Sequence, residues 1–183
     1  MKRKLAFLGT ILPIILLADI LTKSWAEEVL RGAPRPDFLG GRVPLTLAYN
    51  RGAAFGISVG DDPRWFFIPV ALLALVLMVV LLVQARPRDH VRLVSLVLVI
   101  SGALGNLIDR VRWDRGVVDF IGPIDLGFMD WPIFNVADMA ISCGAVLLAL
   151  SFWLEGRALK RAEARETGDN PAEVMTNPEP TEG

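Results

Sequence analysis

Residues 102–138 read GALGNLIDRVRWDRGVVDFIGPIDLGFMDWPIFNVAD, and their setting decides how the rest of the chain is understood. The stretch leaves one long apolar run and ends inside the start of another, and it carries six aspartates and three arginines across the gap. Ionisable groups at the edge of hydrocarbon are costly, and they point to function wherever nothing local neutralises them. The surrounding sequence must therefore supply whatever holds and uses these groups.

Hydrophobic residues make up 53% of the 183 positions and charged residues 21%, the charges falling in short blocks between apolar runs. A spanning helix needs about 20 mostly apolar residues at ~1.5 Å rise each. Four segments meet that demand, at about residues 5–26, 65–83, 91–108 and 133–154. The expected fold class is an all-α polytopic membrane protein, four transmembrane helices with a small extracytoplasmic β-like cradle. Residues 1–155 form the transmembrane domain in this reading. Residues 156–183 are a charged cytoplasmic tail whose Pro-, Glu-, Thr- and Asn-rich end is too polar to fold. A net charge of −1 leaves no basic face for a nucleic-acid partner.

Lys2, Arg3 and Lys4 precede the first apolar run as they would in a signal peptide. No small-residue cleavage site follows closely, and the run continues past Asp19 and Lys23 in helical register, so it is read as a retained span. Three basic groups set the orientation: the amino-terminal cluster, Arg86, Arg88 and Arg92 between spans two and three, and Arg157, Lys160, Arg161 and Arg165 after span four. All lie on one side of a four-span chain, whereas residues 25–64 hold five charges of each sign. The positive-inside rule then puts both termini in the cytoplasm and both long loops outside.

Asp19 and Lys23 stand four apart on one helix face, either as a mutually neutralising pair with a snorkelling lysine or as the anchor of a polar site. Residues 42–49, RVPLTLAY, alternate like a short strand. Asn50-Arg51-Gly52-Ala53-Ala54-Phe55-Gly56 follows, a small-residue run that suits a tight turn or a backbone lying close to a ligand or membrane surface. Span two has no polar side chain in its interior and reads as lipid-facing scaffold. Ser101, Gly102, Ala103 and Gly105 in span three permit close helix approach. Asn106 beyond them needs buried partners, and Asp109 and Arg110 read as an interfacial ion pair. Of the loop acids, Asp114 lies beside Arg112 and Arg115, while Asp125 and Asp130 lie among turn residues, so all three read as solvated. Asp119 differs. Val117, Val118, Phe120 and Ile121 flank it and would desolvate its carboxyl, raising its pKa. Asp138 lies just inside span four below Trp131, as a functional acid or as a complement to the helix dipole.

Elimination narrows the chemistry. The single histidine, His90, falls in the basic cytoplasmic loop, so a Ser-His or Cys-His site at the outer face has no base. The single cysteine, Cys143, sits in span four as a packing residue, and no intrachain disulfide can form. Neither a Cys/His zinc cluster nor a glycine-rich phosphate cradle is present, so no metal and no cofactor is expected. Carboxylate chemistry remains, with Asp119 and Asp138 the pair least satisfied by local charge.

Five blocks in order then carry a resemblance: Asp19-Ile20-Leu21-Thr22-Lys23; Asn50 to Phe55 as N-x-G-A-A-F; Gly105-Asn106-Leu107-Ile108-Asp109-Arg110; Val117-Val118-Asp119-Phe120; and Phe134-Asn135-Val136-Ala137-Asp138. Together they resemble the signature blocks of the lipoprotein signal peptidase, or signal peptidase II, family, over roughly Asp19 to Asp138 and with no departure at a motif position. The resemblance implies a multi-pass aspartyl endopeptidase of the bacterial inner membrane. It would remove the signal peptide of a prolipoprotein just before a lipid-modified cysteine, without metal or cofactor. By that likeness Asp119 and Asp138 are the catalytic dyad. Asp19, Lys23, Asn50, Gly52, Asn106, Asp109, Arg110 and Asn135 support it or position substrate, and residues 50–56 form an outer cradle. Expected partners are lipid-modified prolipoproteins and membrane lipid, with the enzyme a monomer and its site near the outer face. Two rivals use the same residues differently. A small ion-coupled transporter would employ intramembrane acids, but no internal repeat relates the two halves; an assembly factor would need the polar blocks only for packing.

Overall fold

The computed structural model describes residues 2–32, 37–38, 43–52 and 62–166. Among these, four helices are long and apolar enough to cross a membrane: α1 (Lys2–Val29), α2 (Arg64–Gln84), α3 (His90–Arg112) and α4 (Val136–Glu166). The four-span helical architecture read from the sequence is the one observed. The α1, α2 and α3 helices extend past both ends of the apolar runs that announced them, and α4 past its carboxy-terminal end. Asp89 starts α3 by accepting the Arg92 backbone N–H at 3.0 Å, an N-cap that satisfies one of the helix's free donors.

The α3 helix is central, packed by α1 on one side and α2 on the other. Near its start, Leu93, Leu96, Val97 and Ile100 join Leu82 and Ala85 in a buried cluster, against which Phe7, Leu8 and Met78 pack. The Lys4 ammonium donates to the Val83 carbonyl at 2.6 Å, tying α1 to the last turn of α2. The α2 helix buries little and bares Leu73, Val76, Leu77 and Val83. In water such a surface would be an aggregation liability; in a bilayer it meets its solvent.

Among the described residues there are also five short strands: β1 (Asp37–Phe38), β2 (Val43–Asn50), β3 (Val117–Ile121), β4 (Ile124–Asp125) and β5 (Asp130–Trp131). The first three form an antiparallel sheet in the order β1-β2-β3, with Ala48 opposite Asp119 and Asn50 opposite Val117. Gly116 enters β3 at φ 91°, and a Cβ there would run into the Asn50 carbonyl oxygen, so only glycine lets the two strands meet this closely. Strands β4 and β5 make a separate hairpin, after which Phe134 bridges back to Ile121. That bridge holds the chain extended, so α4 begins at Val136 rather than at the first residue of its apolar run.

By its internal contacts the chain forms two compact units, residues 1–148 and residues 149–183. Within the second, α4 remains helical to Glu166 and the Arg157 guanidinium lies 4.7 Å over the Trp153 ring.

Candidate active site

The helix face shared by Asp19 and Lys23 points into the protein, and both side chains are buried. The Lys23 ammonium donates to Asp19 Oδ2 at 2.7 Å and to Asn106 Oδ1 at 3.1 Å, and it pairs with Asp109 Oδ2 at 2.8 Å. A buried cation flanked by two carboxylates is tolerable only with such complete partnering. The other Asp19 oxygen, Oδ1, accepts the Ala137 backbone N–H at 2.9 Å, in the first turn of α4. The α1 pair therefore neutralises itself and also anchors a polar cluster.

Two glycines make this approach possible. A Cβ at Gly105 would sit 2.8 Å from Asp19 Oδ2, and one at Gly102 would collide with the Ala137 carbonyl oxygen. The small-residue patch of α3 thus admits α1 and the start of α4 to hydrogen-bonding range. Further along, Gly144 of α4 packs on Ser95 and Val99.

Asn135 precedes α4 and caps it. Its Oδ1 accepts the Asp138 backbone N–H at 2.8 Å, and its own N–H donates to Asp138 Oδ2 at 3.2 Å. The reciprocal pair is a capping box with aspartate in the third helical position, and it fixes the Asp138 rotamer. The Asn135 amide then turns the cap toward β3: its Nδ2 donates to Asp119 Oδ1 at 2.7 Å and reaches Asn106 Oδ1 at 3.1 Å. Because Asn106 Oδ1 faces the Lys23 ammonium, which can only donate, its Nδ2 must point the other way. There it meets Asp138 Oδ1 at 2.7 Å.

Asp119, only 3% exposed, lies on β3 between Val118 and Phe120, which are buried with it. Burial, and then the charge of nearby Asp138, push its pKa up to about 7, against hydrogen bonds from Asn50 and Asn135 and the charge of Lys23. Asn50 is held for this contact by the turn after it, where its Oδ1 accepts the Gly52 N–H at 2.8 Å. Gly52, at φ 113°, lies so close to the Phe67 ring that a side chain would overlap it.

The cluster gathers Asp19, Lys23, Asn50, Asn106, Asp109, Asp119, Asn135 and Asp138. Two readings are corrected. Asp109 pairs with Lys23 and accepts the Val118 N–H at 3.4 Å, while Arg110 donates to the Asn106 carbonyl at 3.3 Å and lies 5.7 Å over the Phe67 ring. Adjacent helical residues diverge by about 100°, so the two do not form the ion pair expected of them. Asp114 is solvated as read, 93% exposed, though its partner is Arg64 at 2.5 Å, while its neighbour Arg115 pairs with Glu27 at 2.6 Å. Span two is not scaffold alone, since Phe67 underlies both Gly52 and Arg110. The sequence signal for that was present in Trp65-Phe66-Phe67 but is indistinguishable from an interfacial aromatic belt. Asp125 and Asp130 stay outside the cluster on the β4–β5 hairpin. Residues 53–56 of the small-residue run lie outside the described residues.

Chemically, the cluster offers two carboxyls in different settings. Asp119 can hold a proton near neutrality, and Asp138 accepts hydrogen bonds on both oxygens. Such an unequal pair can act as general acid and general base. The sequence profile of the family described as signal peptidase (SPase) II matches residues 11–154, which contain the whole cluster. The chain belongs to the signal peptidase II family. A lipoprotein signal peptidase of Hydrogenovibrio crunogenus is 42% identical over 156 residues, covering 84% of this chain and 89% of that relative. One from Streptococcus pyogenes serotype M2 is 37% identical over 156 residues, covering 85% and 97%. Among solved structures, a bacterial membrane enzyme determined by the in meso method at 2.3 Å aligns with a TM-score of 0.71 and 26% identity. That alignment covers 85% of this chain and 90% of the other. Signal peptidase II membership makes the chain a peptidase, and its four apolar helices make it a membrane protein.

Proposed function

We propose that this signal peptidase II is an aspartic endopeptidase that removes the signal peptide of prolipoproteins immediately before the diacylglyceryl-modified cysteine, with Asp119 and Asp138 as its dyad. The observation that carries the reading is the bridge between them. Asn135 caps the helix that presents Asp138 while its amide holds Asp119, so one residue sets both carboxyls. Two carboxyls held close share one proton and titrate as a unit. In the proposed cycle Asp138 enters as the carboxylate and Asp119 as the acid.

Water attacks the scissile carbonyl carbon, giving a proton to Asp138, while Asp119 protonates the carbonyl oxygen. The resulting gem-diol collapses: its hydroxyl proton returns to Asp119, the C–N bond breaks, and Asp138 delivers its proton to the departing amine nitrogen. Acid–base assistance of this kind is typically worth about 10²–10⁴-fold. Arg110, lying over Phe67 beside the dyad, and the Asn50–Gly52 turn position substrate. The charge distribution supports cytoplasmic termini and a site near the outer face, where water reaches the dyad and acyl chains arrive through lipid.

The test is cleavage of a diacylglyceryl-modified precursor, beside the unmodified precursor, by purified wild type, Asp119→Asn and Asp138→Asn. Only wild type with the lipidated precursor is expected to release the signal peptide. Turnover by either folded variant would remove the dyad from the mechanism, and equal cleavage of the unmodified precursor would remove the lipid requirement.

A further inference from the structure

The β4–β5 hairpin ends in Leu126-Gly127-Phe128-Met129, and no part of the proposed reaction uses it. Phe128 is 82% exposed and Trp131 50%, with Leu126 and Met129 also exposed. Four large apolar side chains within six residues, on an element of two short strands, are thus left between 43% and 82% exposed. We propose that this hairpin tip is a membrane-seated wedge, its Leu126, Phe128 and Met129 side chains resting at the headgroup–acyl boundary of the bilayer that α4 crosses, with Trp131 behind them at headgroup level.

Position supports that occupant. Trp131 stands five residues before α4, at most about 18 Å of extended chain, and the Phe134–Ile121 bridge takes up part of it. The hairpin therefore lies near the amino-terminal end of a spanning helix. Aromatic side chains favour the headgroup–acyl depth. The turn is also prepared to leave water: the Leu126 N–H donates to the Met129 carbonyl at 3.0 Å, and the Gly127 N–H to Asp125 Oδ1 at 2.6 Å. A segment entering a poorly hydrated layer must satisfy its backbone groups internally.

Charge limits the depth and selects the partner. Ile124 pairs with Trp131 at the base of the hairpin and Asp125 with Asp130 directly behind the turn, so only Leu126, Phe128 and Met129 of the tip can seat while the carboxylates stay among headgroups. A second copy meeting this one tip to tip would bring four carboxylates together, which disfavours a dimer contact here. A zwitterionic headgroup layer offers ammonium groups to the same acids.

The experiment uses the full chain carrying Cys143→Ser, with one nitroxide-labelled cysteine at a time, reconstituted in phosphatidylcholine vesicles. Phe128→Cys reports the tip, Val76→Cys on α2 the hydrocarbon, and exposed Asp114→Cys the water. Collision with oxygen and with a water-soluble nickel chelate is read by power saturation. The oxygen-to-nickel ratio at position 128 is expected to exceed that at 114 several-fold and to fall short of that at 76. A ratio at 128 equal to that at 114 overturns the proposal in favour of a water-exposed loop. Shielding from both reagents, with spin–spin broadening that vanishes on dilution with unlabelled protein, overturns it in favour of a second copy. If the Phe128→Cys protein does not reconstitute, Leu126→Cys decides by the same criteria.

Discussion

Asn135 performs two separable tasks, and paired substitutions should pull them apart. Its Oδ1 caps α4 at 2.8 Å from the Asp138 N–H, while its Nδ2 holds Asp119 at 2.7 Å and reaches Asn106 at 3.1 Å. Asn135→Ala loses both. The missing cap costs about 0.5–2 kcal/mol, and the buried acceptors left without their donor cost roughly 1–3 kcal/mol more. The sum is a destabilisation of about 1.5–5 kcal/mol. Asn135→Ser keeps a side-chain oxygen able to cap and should recover about 1 kcal/mol of that loss, but it restores no amide to Asp119. Since the Asn135 hydrogen bond opposes the upward shift of the Asp119 pKa, both variants should hold the Asp119 proton to higher pH than wild type does. Denaturant unfolding in one fixed detergent measures the first effect, and the pH profile of precursor cleavage the second. Both variants should cleave more slowly, with the alkaline limb displaced upward. Equal stability of the alanine and serine variants would refute the division of labour, and an unmoved alkaline limb would refute the coupling to Asp119.

Two further expectations follow from the same cluster. Lys23→Met leaves Asp19 and Asp109 buried without their cation; breaking a buried pair in this way typically costs about 3–5 kcal/mol, so unfolding should begin at markedly lower denaturant, and partial recovery is expected when Asp109→Asn is added. The Asp119 pKa of about 7 lies above the 3.8 of an ordinary aspartate, so between those values the folded chain holds a proton that the unfolded chain has released. Its contribution to stability is full below about pH 4 and lost as pH rises through about 7; cleavage should decline over that upper range as the acid ionises, and Asp119→Asn should flatten the stability profile when unfolding is followed from pH 4 to 8.

The helices were legible because membrane spans are written as length and hydropathy, and Asp119 because its flanking valines, phenylalanine and isoleucine announce a dry site. The partners of Asp109 were not. Sequence adjacency favours Arg110, but the 100° step of a helix sends the neighbours to different faces, and Lys23 arrives from another helix altogether. Asn135 and Asp138 carry the spacing of a capping box, yet the apolar run starting before them conceals where the helix begins. The β4–β5 hairpin is read from sequence only as turn residues and solvated acids. Two-residue strands leave no periodicity, and the exposure of Phe128 depends on the whole sheet.

The i,i+4 spacing of Asp19 and Lys23 also bears on how the protein is made. Asp19 waits 118 residues for the Ala137 N–H, and Lys23 waits 83 for Asn106. During synthesis the first span must enter the bilayer before either partner exists, and a lone charge at a helix centre costs about 2.5–3.5 kcal/mol on insertion scales. Bonded to each other at 2.7 Å, the two residues travel as a neutral unit. Their spacing is thus a device of biogenesis: it carries the site's first two charges across the insertion barrier before the residues that will employ them have been translated.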